Sequence, residues 1–152
     1  MANTYTKIFI QFVFAVKYRQ AIIIPEIKDE IYSYIAGILR NKEQKVLAIN
    51  GTSDHIHLFV GYKPRYDMTE LMRDIKSDSS LFINNNKLTR CQFEWQNGYG
   101  AFSYSPWDKD KIINYIRNQE EHHRKVKFLT EYKRMLKEFN IEYDDRYIFH
   151  EI

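Results

Sequence analysis

The 152-residue chain has one cysteine, three prolines and five glycines, and each shortage excludes a class of protein. Cys91 alone cannot build an internal disulfide framework or a cysteine-rich zinc module, and it fits a reducing compartment. It reads as a small apolar residue. The glycines form no phosphate-cradling P-loop, so nucleotide hydrolysis has no support. The apolar stretch Ile8–Val16 is nine residues long, is interrupted by Gln11, and has no cleavage site after it. It reads as a strand, not a signal peptide or membrane span, and the chain is expected in the cytoplasm, away from membranes. Internal repeats, low-complexity tracts and linkers are also missing.

What is present is enough to fold. Apolar residues reach 44% and aromatics 16%, which excludes disorder, and residues 1–152 suit one domain with a real core. The net charge of +3 hides an asymmetry. Residues 138–152 form an acidic tail of five acids against Arg146, a solvated end or a local brace. The preceding 137 residues carry 22 bases against 15 acids, a surplus of +7 that favours a polyanionic partner.

Residues 7–16 read as a first strand, and Pro25 opens a helix with Ile27, Ile31, Tyr34, Ile35 and Ile38 at helical spacing. Residues 45–51 and 54–62 read as a hairpin about Gly51–Asp54. A second helix after Pro64 and Asp67 turns Met68, Leu71, Met72, Ile75 and Phe82 inward; 92–95 and 101–105 are short strand candidates. Ser105-Pro106-Trp107-Asp108 has the form of a helix start, with Ser as N-cap. The helix it opens puts Ile112, Tyr115, Ile116, Gln119 and His123 on one side. A last helix at about 126–139 has Phe128, Leu129, Tyr132, Leu136 and Phe139 as its apolar face. The order β-α-β-β-α-β with C-terminal additions predicts an α+β, ferredoxin-like split β-α-β fold.

Two half-sites stand out. In Asp54-His-Ile-His-Leu-Phe-Val60 the imidazoles of His55 and His57 project from one strand face, while Ile56, Leu58 and Val60 anchor the other. Two convergent imidazoles are half of a divalent-metal site. In Tyr115-Ile-Arg-Asn-Gln119, a Tyr and a Gln share a helix face. The Tyr offers a nucleophile without an activator, and Gln119 offers a neutral third ligand beside it. Tyr99 and Tyr104 are rival nucleophiles, read instead as packing or base-stacking residues. His122 and His123 are open to proton transfer or metal binding, and equally to capping the helix end near its negative pole.

With these motifs in order, the chain resembles the single-tyrosine HUH transposases of small bacterial insertion sequences. The likeness also runs through Val16-Lys-Tyr-Arg19, Asp74-Ile-Lys-Ser-Asp-Ser-Ser80, Gly98-Tyr-Gly-Ala-Phe-Ser103 and Glu120-Glu-His-His123. The resemblance implies that His55 and His57 bind a metal, Gln119 completes the ligand set, and Tyr115 is the nucleophile. It further implies a homodimer whose Tyr helix can serve the partner's His pair. The implied reaction cleaves and rejoins single-stranded DNA, at hairpin-bearing transposon ends, through a 5′-phosphotyrosine. Magnesium or manganese suits the ligands, which would also accept zinc. Candidate groove residues are Lys63, Arg65, Lys76, Lys87, Arg90, Arg117, Arg124 and Lys125, each with a solvated surface charge as the plain alternative. Three rival functions remain: a host-adopted enzyme processing repeated hairpins, a non-catalytic single-stranded nucleic-acid binding module, and a hydrolase using the His pair with water as nucleophile.

Overall fold

A computed structural model describes residues 3–148. Four antiparallel strands form one sheet in the order β2-β3-β1-β4. They are β1 (Phe9–Ala15), β2 (Lys45–Gly51), β3 (His55–Gly61) and β4 (Gly100–Tyr104). β1 is buried along its whole length because it lies between β3 and β4.

Side chains alternate between the faces of a strand. Ile10, Phe12 and Phe14 of β1 and Ile56, Leu58 and Val60 of β3 point to one face. Two helices cover it, α1 (Pro25–Asn41) and α2 (Met68–Asn85), whose Ile31, Ile35, Leu39, Leu71 and Ile75 complete the main core. The other face carries Phe9, Val13, Ala15 and Phe59, with Gln11, His55 and His57 among them. It is covered by α3 (Lys109–Arg117), α4 (Gln119–His123) and α5 (Phe128–Glu138). The expected α+β sandwich is present, with the C-terminal helices closing its second face.

Local expectations needed five corrections. Residues 92–95 form no strand; only the bridge Val16–Trp95 is made, and the segment is held by its side chains. Phe93 and Trp95 sit in the core, and the Asn84 amide clasps Phe93 through its carbonyl (3.1 Å) and N–H (2.8 Å). In α1 it is Tyr32 that turns inward, whereas Tyr34 stacks flat on Phe82 at 4.1 Å near the surface. Ser105 bonds the Asp108 carboxylate at 3.3 Å in place of a backbone amide, and Pro106–Asp108 is a 3-10 turn leading into α3. The Tyr helix does not continue to His123. Asn118, at φ −97° and ψ 19°, separates α3 from α4. Cys91 is exposed.

One glycine fixes where β3 begins. A Cβ on Gly51 would lie 2.0 Å from the His55 carbonyl oxygen, so the turn closes only without a side chain. The turn is tied to the chain after β1 by Val16 N–H to Asp54 O (2.8 Å) and Ile23 N–H to Ser53 O (2.9 Å). His55 is thereby placed at the first position of a rigid strand.

Candidate active site

In the β1–β3 ladder, Val13 lies opposite His57 and Ala15 opposite His55. The two imidazoles are fully buried, with ring centroids 5.1 Å apart. Phe128, at the start of α5, stacks on the His55 ring at 4.0 Å and 16°. Each ring has one nitrogen fixed from behind. His55 Nδ1 lies 2.8 Å from Asp54 Oδ1 and 3.0 Å from Thr52 Oγ1. His57 Nδ1 lies 2.6 Å from Gln11 Oε1, whose amide nitrogen donates to the Tyr104 hydroxyl at 2.9 Å. Both Nε2 atoms therefore face inward, His55 toward Gln119 Oε1 at 3.1 Å and His57 toward Glu131 Oε1 at 3.0 Å.

Glu131 is the centre of the cluster, and sequence reading missed it. Its buried carboxylate accepts from the Tyr115 hydroxyl, from Gln119 Nε2 at 3.0 Å and from His123 Nε2 at 3.0 Å. His122 Nε2 lies 3.3 Å from its second oxygen. Burial penalises this charge, but its hydrogen bonds, that from His123 first, outweigh the penalty and hold the carboxyl far below its ordinary range. Burial drives the His57 imidazolium the other way, to a pKa of about 4, so the ring is neutral near pH 7. For Tyr115, burial first and then the Glu131 charge push the phenol well above its usual value. His123 also belongs here: its Nδ1 faces Val126 O at 2.7 Å, and Glu131 raises its pKa against the effect of burial.

The nucleophile candidate and the metal-donor candidates thus share one buried cluster. Donor atoms of His55, His57, His123 and Glu131 lie within 4.8 Å of one another, and Gln119 reaches into the same group. Imidazoles and carboxylates form a donor set for borderline and hard divalent ions. A family model described as "Transposase IS200 like" matches residues 4–119 of the chain.

The chain belongs to the IS200-like transposase family.

Solved structures agree at the level of fold. The chain is similar to a putative transposase from Deinococcus radiodurans R1, at 19% identity and a TM-score of 0.62, over 78% of this chain and 95% of that one. It is also similar to a REP-associated tyrosine transposase bound to a REP hairpin, at 18% identity and a TM-score of 0.60, over 84% of this chain and 75% of that one. A comparison with curated proteins found no match. The family match ends at Gln119, so His122, His123, Phe128 and Glu131 of this transposase lie beyond it.

The remaining candidates are scattered. Lys63 and Arg65 follow the end of β3, whereas His55 begins it, and Arg65 pairs with Glu43. Lys76 is turned inward, its ammonium donating to the carbonyls of Gln96 (2.8 Å) and Gly98. Burial lowers its pKa to about 8. Arg117 ends α3 with an exposed side chain, and its carbonyl accepts from Asn50 Nδ2 at 3.0 Å. Arg124 follows α4 and pairs with Glu121 at 3.1 Å. Lys87 and Arg90 follow α2, and Lys125 follows Arg124. Burial pushes the Tyr104 phenol up to about 12, while Tyr99 packs edge-on against Phe12 at 6.1 Å. Asp145 of the acidic tail braces locally against Lys133 at 3.2 Å. Residues 149–152, with Glu151, lie outside the described residues.

Two signals pointed to what was missed. Gln11 is a lone amide in an apolar strand, and Glu131 is an acid flanked at helical spacing by Phe128, Tyr132, Met135 and Leu136. A polar residue placed where burial is expected needs a partner.

Proposed function

We propose that this IS200-like transposase cuts and rejoins single-stranded DNA by transesterification. Tyr115 is the nucleophile, and His55, His57 and Gln119 are the ligands of a divalent ion, magnesium or manganese. The observation that carries this reading is convergence: the Tyr115 hydroxyl and the inward nitrogen of His57 meet on one carboxylate, with Gln119 bridging to His55.

The donor set fits a metal. Asp54 and Gln11 face the outer nitrogen of each histidine and favour the tautomer whose inner nitrogen keeps its lone pair for an ion. Glu131 and His123 are further donors within reach. When bound, a divalent ion supplies Lewis-acid polarisation of the scissile phosphate.

The chain's own residues supply the rest. Tyr115 Oη forms a bond to phosphorus as the bond to the 3′-oxygen breaks. Water takes the phenol proton as the bond forms and the released 3′-oxygen takes one up from water, so the proton count is unchanged, while Glu131 orients the hydroxyl it already contacts. Burial and the neighbouring carboxylate keep the phenol neutral at rest, so proton loss accompanies attack and does not precede it. The phosphodiester is conserved as a 5′-phosphotyrosine, and a 3′-hydroxyl can reverse the step without external energy.

The test is incubation with single-stranded DNA from the gene's own flanks and manganese, followed by denaturing electrophoresis. Wild type gives a covalent adduct and Tyr115→Phe gives none. An adduct in the Phe variant overturns the nucleophile assignment and moves the search to Tyr99 and Tyr104. Cleavage without any adduct identifies a hydrolase.

A homodimer is part of this reading. Within the chain, Tyr115 packs against its own His57, with ring centroids 6.0 Å apart. Purified heterodimers of His57→Ala and Tyr115→Phe chains decide which chain the helix serves. Recovered activity assigns shared sites, and its absence assigns each site to one chain. A second reading, a host-adopted enzyme acting on repeated hairpins, is supported by the structural likeness to a REP-associated transposase. Dispersed hairpins without copies of the gene between them would favour it.

A further inference from the structure

Beside the cluster, on the Asp54 and His123 side, lies an open hollow of about 680 Å³. Its wall carries four cations, Arg19, Lys28, Arg124 and Lys127, against two carboxylates, Asp54 and Glu120. Both carboxylates are engaged, Asp54 with His55 and Thr52, and Glu120 with Lys28 at 2.5 Å. The lining carries four positive charges against two, and Glu121 beside it pairs with Arg124 at 3.1 Å, which leaves a local surplus of one. A concave basic surface next to a reaction centre suits a polyanion whose reacting group must reach that centre.

The hollow is coupled to the site by a stack of rings. The Arg19 guanidinium lies 5.6 Å over Phe128, and Phe128 lies 4.0 Å from the His55 ring. A group bound to Arg19 is therefore held at a fixed offset from the histidine pair. The backbone is bent to achieve this. Tyr18 and Arg19 both have left-handed conformations, with φ of 58° and 50°, at consecutive non-glycine positions. Such conformations cost free energy, persist only where surrounding contacts impose them, and concentrate at functional sites.

We propose that this hollow holds the single-stranded DNA segment adjoining the scissile phosphate, with Arg19, Lys28, Arg124 and Lys127 neutralising its backbone. The assignment rests on the strand-transfer reading above and adds the path by which the substrate approaches the histidine pair. It separates these four cations from Lys63 and Arg65, at the far end of β3.

The probe is a fluorescein-labelled single-stranded oligonucleotide from the gene's flank, with anisotropy read across a salt series. The parent protein carries Tyr115→Phe so that binding is measured without covalent capture. Arg124 and Lys127 are exposed, so Arg124→Gln/Lys127→Gln is expected to fold as the parent does, which a thermal melt checks. Arg19→Gln, at a less tolerant position, is scored after a thermal melt. Each lost phosphate contact lowers the slope of log K against log salt by about 0.7. The double variant is expected to lose affinity about tenfold, with the slope falling by about 1.4 for two contacts. Lys63→Gln/Arg65→Gln is expected to keep the parental slope. Parental affinity and slope in the Arg124/Lys127 variant overturn the assignment. An equal loss in the Lys63/Arg65 variant also overturns it, since binding would then follow total charge. In either case an adduct formed by wild type on the same oligonucleotide leaves the strand-transfer reading standing. No wild-type adduct overturns that reading, and this assignment with it.

Discussion

The two faces of one sheet follow different rules. Under α1 and α2 the side chains of β1 and β3 are all apolar, and what those strands contribute to the face is burial. Under α3, α4 and α5 the same two strands present Gln11, His55 and His57, each nearly or fully buried and each needing a hydrogen-bond partner. Those partners come from the turn before β3 (Thr52, Asp54), from β1 itself and from helices near the C-terminus (Gln119, Glu131). The apolar face can be repacked by any set of side chains of the right volume. The polar groups of the other face are satisfied only as a complete set.

Adjacent residues of β3 make the contrast testable, because Leu58 and His57 share a strand and differ in face. The largest expected effect is on activity: His57→Ala and His55→Ala each abolish metal-dependent adduct formation, with Gln119→Ala giving a smaller loss. Manganese calorimetry checks the order, and wild-type affinity in both His variants would make the pair structural. Leu58→Ala should do the reverse, costing about 2–5 kcal/mol of stability in chemical denaturation while folded molecules still cleave.

Metal should strengthen one face only. Manganese at 100 times its Kd should add about 2.7 kcal/mol to wild-type stability and nothing to His55→Ala, read as a melting shift. Gly100→Ala should cost about 1–3 kcal/mol, because its Cβ would lie 2.7 Å from the Tyr132 hydroxyl and 2.8 Å from the Phe102 ring. Since Tyr132 is carried by α5, adduct formation should fall with it. Gly61→Ala, whose nearest contact would be an ordinary 3.5 Å, is the near-neutral comparison.

The smallest effect is a pH profile of metal-free protein. The folded pKa of His57, about 4, lies below its ordinary 6.5, so the unfolded chain takes up the proton first. That contribution to stability is complete above pH 6.5 and is lost as pH falls toward 4. His57→Gln should flatten this window in denaturation curves, whereas Leu58→Ala should keep its shape.

Sequence patterning revealed the apolar face well, because alternation in strands and helical spacing in α1 and α2 are short-range signals. It also placed His55 and His57 on their strand and Tyr115 on its helix, but it ran Gln119 onto that same helix, whereas α3 ends at Arg117 and Gln119 begins α4. What it could not reveal was pairing across the fold. Glu131 looks like a misplaced acid until α5 is docked over His57, and Gln11 looks like an interruption until β1 lies beside β3 in register. The break at Asn118 was invisible for a similar reason. No proline or glycine marks it, and the peptide simply opens where Asn50 clasps the carbonyls of Ile116 and Arg117.

The placement of α5 bears on how decayed gene copies are to be read. A stop codon shortly after residue 119 would leave every motif of the family match in frame. Such a copy would still encode the His pair and the tyrosine, yet it would lack Phe128 over His55 and the carboxylate that joins His57 to Tyr115. The polar face would be open to water and the Tyr115 hydroxyl would lose its carboxylate partner. In a genome survey these remnants would be counted as intact enzymes by signature alone. Under the proposed function, the presence of Phe128 and Glu131, eight and eleven codons past the triplet for Glu120, is the sharper criterion for a gene that can still act.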